Sequence, residues 1–351
     1  MNGLKMISYE NNIENYRKLD GIVDKLLTGS LKEADIHTMQ ISHRVKTYES
    51  ASVKMSRKPD KYSSVLDMTD IVGFRVICYF KDQIDQISEI IEKLFDIDIN
   101  NCVDKAKILS PNAFGYLSVH YICSLKPSDD YPEELCKYRF EIQIRTVLQH
   151  TWAEIEHDLG YKNEFGVPLH IRREFSRMAS LLEVADDGFY RIKKELEIYR
   201  ENIIEILKNG EVSGVPIDTL TLREFMLYND DYNNLINDIA SISDARLMKI
   251  NADPYIAQLQ FLGINDLGAL VDSIKQNRDI IMQMARSFLL DSEIDELVTS
   301  VGLFFICRAI LIKGNYSEDE LSNYFSLLSN KPDKIEKMVT HLLKLRKRYL
   351  D

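Results

Sequence analysis

Three groups of polar residues stand in or beside segments otherwise suited to burial. The first is RVKTYESASVKMSRK, Arg44–Lys58. Arg44 and Lys46 point the same way if their segment is extended. Ser50, Lys54 and Lys58 recur at helical spacing, with Arg57 flanking. Cations contributed by two elements make a surface suited to a polyphosphate; the same spacing also describes a solvated basic helix face. The second group is Asp70 and Arg75, in the run DIVGFRVICYF, Asp70–Phe80. An acid at a strand start serves as a turn residue or, with a second acid nearby, as a magnesium ligand. The third opens EIQIRTVLQHTWAEIEHDLGYK, Glu141–Lys162, where Glu141, Gln143 and Arg145 alternate with Ile142 and Ile144. A strand there carries the polar trio on one face. A lone strand glutamate usually faces solvent. Paired with Asp70 across a sheet, Glu141 could bind metal or accept a proton from a hydroxyl. Phosphate-binding cations with two strand acids are the equipment of phosphoryl or nucleotidyl transfer.

The elements that must position these residues follow from pattern. DIVGFRVICYF is a nearly continuous apolar run rich in β-branched and aromatic residues, which predicts a central strand. YLSVHYICSL and YRFEIQIRT predict two more strands, and QISEIIEKLF an amphipathic helix. Residues 8–55 read as helical, apart from an irregular stretch near Arg44, and residues 101–115 as a loop. From Val147 onward the pattern is helical. KNGEVSGVPIDT, Lys208–Thr219, has Gly, Pro and Ser without periodicity and is expected to be a linker. The expected organisation is therefore α+β over 1–207, a linker over 208–219, and an all-α domain over 220–351.

Composition narrows the classes. The net charge of −11 over 351 residues argues against a chain that coats nucleic acid through its overall field. The five cysteines are scattered, none in metal-ligand pairs, which fits a reduced cytoplasmic protein. Met1–Glu10 has no apolar core of a signal peptide. VGLFFICRAILI, Val301–Ile312, is too short to span a bilayer and contains Arg308, so it is expected to be a buried helix and no membrane contact is expected.

Four motifs in order resemble the synthetase domain of the RelA/SpoT family, the (p)ppGpp synthetases. RVKTYESASVKMSRK fits the family's Arg-x-Lys, Ser, Lys, Arg-Lys pattern, and DIVGFR its Asp-x-x-Gly-x-Arg strand. GYLSVH fits Gly-Tyr-x-Ser-x-His. EIQIRTVLQHTWAEIEHDLGYK carries Trp152, Glu156, His157, Tyr161 and Lys162 of the family's most specific signature. The resemblance covers roughly residues 1–205, counting the helices that follow. It implies a nucleotidyltransferase-like mixed sheet flanked by helices. It also implies transfer of the β,γ-pyrophosphate of ATP to the 3′-hydroxyl of GDP or GTP, with Mg2+ and release of AMP. By the same resemblance Arg44 and Arg75 sandwich the adenine, and Lys46, Ser50, Lys54 and Arg57 hold the phosphates. Asp70 and Glu141 are the catalytic and metal-binding acids. Tyr116, His120, Gln143 and Lys105 serve the acceptor.

The departures fall on the acceptor side. Leu117 replaces the family's arginine, Asn112 or Ala113 replaces a lysine, and VDKAKI stands for a Lys/Arg-Asp-Tyr motif. A toxin-type relative that modifies a tRNA 3′ end or an adenosine nucleotide is therefore a second reading. A nucleotide-binding scaffold without turnover is a third, against which the retained Asp70 and Glu141 argue. A homo-oligomer is expected, and the helical tail is assigned a regulatory or assembly role.

Overall fold

A computed structural model describes residues 2–57, 61–104, 118–160, 168–248, 253–290 and 294–350. The chain forms two compact units, Met1–Lys194 and Glu195–Asp351.

The first unit is built on a mixed sheet. Its strands are β1 (Thr38–Val45), β2 (Val72–Cys78), β3 (Phe95–Ile97), β4 (Val103–Asp104), β5 (Val119–Leu125) and β6 (Phe140–Thr146). They lie in the order β1-β2-β6-β5-β3, with β4 also paired to β5. Only β2 and β6 run parallel; the other neighbours are antiparallel. The apolar runs are thus the interior strands, as their composition predicts, and their Val72, Phe74, Val76, Ile142 and Ile144 are buried. Helices α1 (Asn2–Glu33) and α3 (Asp82–Leu94) cover that apolar face, where Leu19, Val23, Leu27, Ile87 and Ile91 join the same core. Helix α2 (Tyr48–Arg57) follows β1, and α4 (Val147–Gly160) leaves the end of β6.

Two local expectations need correction. The segment 38–45, read as helical or irregular, is the edge strand β1. Its Ile41, His43 and Val45 alternate with Gln40, Ser42 and Arg44, and β2 supplies the backbone partners. Segment 208–219 is no free linker. Helix α5, Leu169–Asn209, ends at Gly210, whose φ of 74° suits glycine. There Gly210 N–H donates to Leu207 O and Glu211 N–H to Ile206 O, closing the helix in a Schellman motif. The chain then lies against the second unit's own core. Val212, Val215 and Ile217 are buried there, and Ile217 N–H donates to Asn265 O while Leu267 N–H donates to Val215 O.

The second unit is predominantly helical: α6 (Thr219–Tyr228), α7 (Asp230–Ser241), α8 (Asp253–Phe261), α9 (Leu267–Leu289), α10 (Val301–Lys313), α11 (Glu318–Ser326) and α12 (Pro332–Leu350). One short parallel pair, β7 (Arg246–Met248) with β8 (Glu296–Val298), is added to the helices. The apolar run at 301–312 forms α10, with Leu303, Phe305, Ile306 and Leu311 buried. Its Gly302 is a packing requirement: a Cβ there would lie 2.8 Å from Ile236 Cγ2 and 2.9 Å from the Tyr232 ring of α7. No helix among the described residues is long and apolar enough to cross a membrane.

Candidate active site

The pairing register gathers the polar residues on the sheet face opposite α1 and α3. Arg44 lies beside Gly73, and Gly73 beside Glu141; one row along, Ser42, Arg75, Gln143 and His120 stand in line. Residues directly paired across strands share a face, so these rows form one polar floor. Gly73 opens a gap between Arg44 and Glu141, since a Cβ built on it would meet nothing within 4 Å.

At one end, Asp70 is clasped by two lysines. Lys46, just beyond β1, and Lys54 of α2 both donate to Asp70 Oδ2, Lys54 at 2.5 Å. Lys46 is fixed from its backbone: its N–H donates to Ile71 O, and Tyr9 Oη donates to its carbonyl at 2.7 Å. Burial would push the Asp70 carboxyl up, but the hydrogen bonds and charges of the two lysines outweigh it and hold the pKa below the ordinary value. Burial dominates at Lys46 and lowers its pKa despite Asp70. At Lys54 burial also opposes the charge, but Asp70 prevails and the pKa is raised. The second carboxylate oxygen, Oδ1, is buried and has no hydrogen-bond partner among the described residues.

Across the floor runs a chain of side chains. Ser118 Oγ is 2.7 Å from His120 Nε2, and His120 Nδ1 is 2.8 Å from Glu141 Oε1. Gln143 Nε2 donates to Glu141 Oε2 at 2.9 Å, and Arg145 donates to Gln143 Oε1 at 2.7 Å. Burial again pushes the Glu141 carboxyl up. The His120 hydrogen bond and charge, with Gln143, overcome it, so Glu141 sits below its ordinary pKa even with Asp70 close enough to oppose this. At neutral pH it is an ionised acceptor beside the gap over Gly73. Farther along, Arg75 donates to Glu154 of α4 at 2.8 Å. Burial, with Arg75 nearby, lowers Arg145 to about 10.

The structure therefore brings Lys46, Lys54 and Asp70 into one cluster, and His120, Glu141 and Gln143 into another close enough to interact with it. Arg44 and Arg75 stand in adjacent rows of the polar floor. Ser50 lies in the first turn of α2, its Oγ accepting from Thr47 Oγ1 at 3.1 Å, and Arg57 lies in the last turn. Tyr116 and Lys105, with Leu117, Asn112, Ala113, Tyr161 and Lys162, lie outside the described residues. Ser118 and Glu154 join the site without having been singled out for it. Arg145 was signalled by its alternation with Glu141 and Gln143. Glu154 carried no signal, because only the fold brings α4 to Arg75.

No group of three or more His, Cys, Asp or Glu side chains is gathered for a metal among the described residues. A magnesium ion needs less, because it commonly takes one or two carboxylates and completes its shell with water and substrate phosphates. The unpartnered Oδ1 of Asp70, with ionised Glu141 nearby, fits such an ion.

Residues 43–165 match the family described as "Region found in RelA / SpoT proteins". The chain is 31% identical over 157 residues to GTP pyrophosphokinase YwaC of Bacillus subtilis (strain 168), an overlap of 44% of this chain and 73% of that protein. It is 29% identical over 158 residues to GTP pyrophosphokinase YjbM of the same organism, covering 45% of this chain and 72% of YjbM. The crystal structure of the small alarmone synthetase 1 from Bacillus subtilis aligns at 26% identity with a TM-score of 0.45, over 54% of this chain and 98% of that one.

Proposed function

The chain is a member of the RelA/SpoT family, and from that premise we propose that it transfers the β,γ-pyrophosphate of ATP to the 3′-hydroxyl of GDP or GTP. The acceptor's 3′-oxygen attacks the β-phosphorus. The bond from that phosphorus to the oxygen shared with the α-phosphate breaks, and that oxygen leaves on AMP. The observation that carries this reading is the two ionised carboxylates within electrostatic reach of each other, one clasped by two lysines and presenting an unpartnered oxygen.

Glu141 accepts the 3′-hydroxyl proton as general base, its carboxylate aimed by His120 and Gln143. Lys46, Lys54, Ser50 and Arg57 bind the ATP phosphates, and Arg44 and Arg75 flank the adenine. His120, Gln143, Tyr116 and Lys105 orient the acceptor, Tyr116 by stacking on its base. Asp70 and Glu141 would hold the magnesium ion, which when bound draws charge from the phosphates. The helical unit is assigned control of activity or assembly, without catalytic groups of its own.

The test is to incubate the full chain with magnesium, ATP labelled in its β-phosphate, and GDP, GTP, ATP or tRNA as acceptor. Label in the guanosine nucleotides with release of AMP is the expected result. Transfer to tRNA with none to GDP or GTP would establish the altered-acceptor reading instead, and no transfer to any acceptor would leave a nucleotide-binding scaffold.

A further inference from the structure

The helical unit contains an apolar cavity of about 240 Å³ walled by α9, α10 and α12. Met284, Phe305 and Leu342 form its buried floor. Phe288 and Phe304 stand at its mouth, 45% and 36% exposed. A dry apolar cavity of about 150 Å³ accepts a benzene ring, so this one has room for a substituted ring or a medium-length acyl chain.

Its charge is one-sided. Arg308 lies in the wall, its guanidinium 5.2 Å from the Phe304 ring centre and 4.6 Å from that of Phe325. Burial lowers its pKa. Among the described residues no carboxylate pairs with it. Stacking on two rings offsets only part of the cost of desolvating a cation. Lys334, Lys337 and His341 of α12 add three more basic side chains, and no acidic residue lines the cavity. Their spacing places them on the helix face that also carries Met338, Leu342 and Leu345. In a chain of net charge −11 this is a local reversal of sign.

We infer that the cavity binds a small anionic amphiphile, an aryl or medium-chain carboxylate whose apolar body fills the floor while its carboxylate meets Arg308. The complementarity is twofold. The apolar wall rewards burial of a hydrocarbon body, and the unpaired guanidinium offers the fork geometry that matches a carboxylate. A purely apolar guest, such as a protein side chain, would fill the floor and leave Arg308 without an anion.

The full chain is titrated calorimetrically with octanoate, octanol and octylammonium. Octanoate binds at one site and octylammonium at least about ten-fold more weakly, the difference expected of one charge-assisted contact. Arg308→Met weakens octanoate about ten-fold and leaves octanol nearly unchanged. Because Arg308 also packs on two rings, a second variant is made on the exposed rim: Lys334→Glu with Lys337→Glu weakens octanoate and strengthens octylammonium. Failure of octanoate to bind at millimolar concentration, equal binding of octanoate and octylammonium, or octanoate binding untouched by both variants would overturn the inference. The readout is binding alone, so it stands apart from the transfer reaction.

Discussion

Glu141 owes its ionisation to two neighbours. Burial would keep its proton on; the His120 and Gln143 donors reverse the sign. Replacing His120 by Leu removes the stronger of these opposing effects, so the carboxyl's pKa rises. A general base must be deprotonated, so the acid limb of kcat/KM moves to higher pH in the variant. A pH–rate profile checks this, and an unmoved limb would count against Glu141 as the base. The same sign governs stability. Asp70 and Glu141 both have depressed folded pKa values. At low pH the unfolded chain therefore takes up protons first. The stabilisation is complete above the unfolded carboxylate range of about 4 and is lost as pH falls through the lower folded values. Glu141→Gln keeps the shape of the side chain and removes the base, and turnover should fall on the order of 100-fold or more with the far-UV circular dichroism unchanged. Near-normal turnover in Glu141→Gln would remove Glu141 from the reaction.

At the level of elements, the site depends on a gap in β2. Gly73 stands between Arg44 of β1 and Glu141 of β6, with open space where its side chain would be. Gly73→Val should leave the thermal midpoint unchanged or slightly raised, because valine suits a strand and restricts the unfolded chain. It should weaken ATP binding by filling the space between the two rows. Calorimetry with ATP and thermal unfolding of the same variant separate the two effects, and unaltered ATP affinity would mean that the gap is not used. The strands β2 and β6 were legible in the sequence because their apolar runs are buried on both neighbours' account. The polar trio on β6 was legible because period two separates it from Ile142 and Ile144. Strand β1 was not. One of its core-side positions is His43, which stacks on Phe74 and bonds Asp20. A histidine there breaks the apolar alternation, and its contacts with Phe74 and Asp20 follow only from β2 and helix α1 lying beside it. Glu154 was illegible for a related reason: its partner Arg75 is set by packing between distant segments.

On the scale of the whole molecule, composition misplaced the division of the chain. Gly, Pro and Ser in Lys208–Thr219 look like a solvated connection. Its partners, however, lie more than forty residues on, where Asn265 and Leu267 exchange backbone hydrogen bonds with Ile217 and Val215. Gly268 lets the strap approach, since a Cβ there would come within 2.9 Å of Ser213 Cα. The obstacle is backbone, so a larger residue must displace the strap. Gly268→Val should lower the stability of the helical unit by about 1–3 kcal/mol, the usual range for overpacking. Chemical denaturation followed by a probe in that unit checks this; an unchanged midpoint would mean that the strap contributes little.

The clasp on Asp70 also makes this carboxylate an internal competitor. While Lys46 and Lys54 hold its Oδ2, their ammonium groups are partly neutralised against any incoming phosphate. Turning the lysines to a polyphosphate releases negative charge at Asp70 for a divalent cation, and cation binding at Asp70 in turn releases the lysines. The two ligands are therefore positively and reciprocally linked. It follows that Asp70→Asn should bind magnesium-free ATP more tightly than the native chain while losing the enhancement that magnesium brings. Calorimetric ATP titrations of both proteins, with the metal and with a chelator, measure both quantities, and equal magnesium enhancement in the two would show that the lysines are not held in competition.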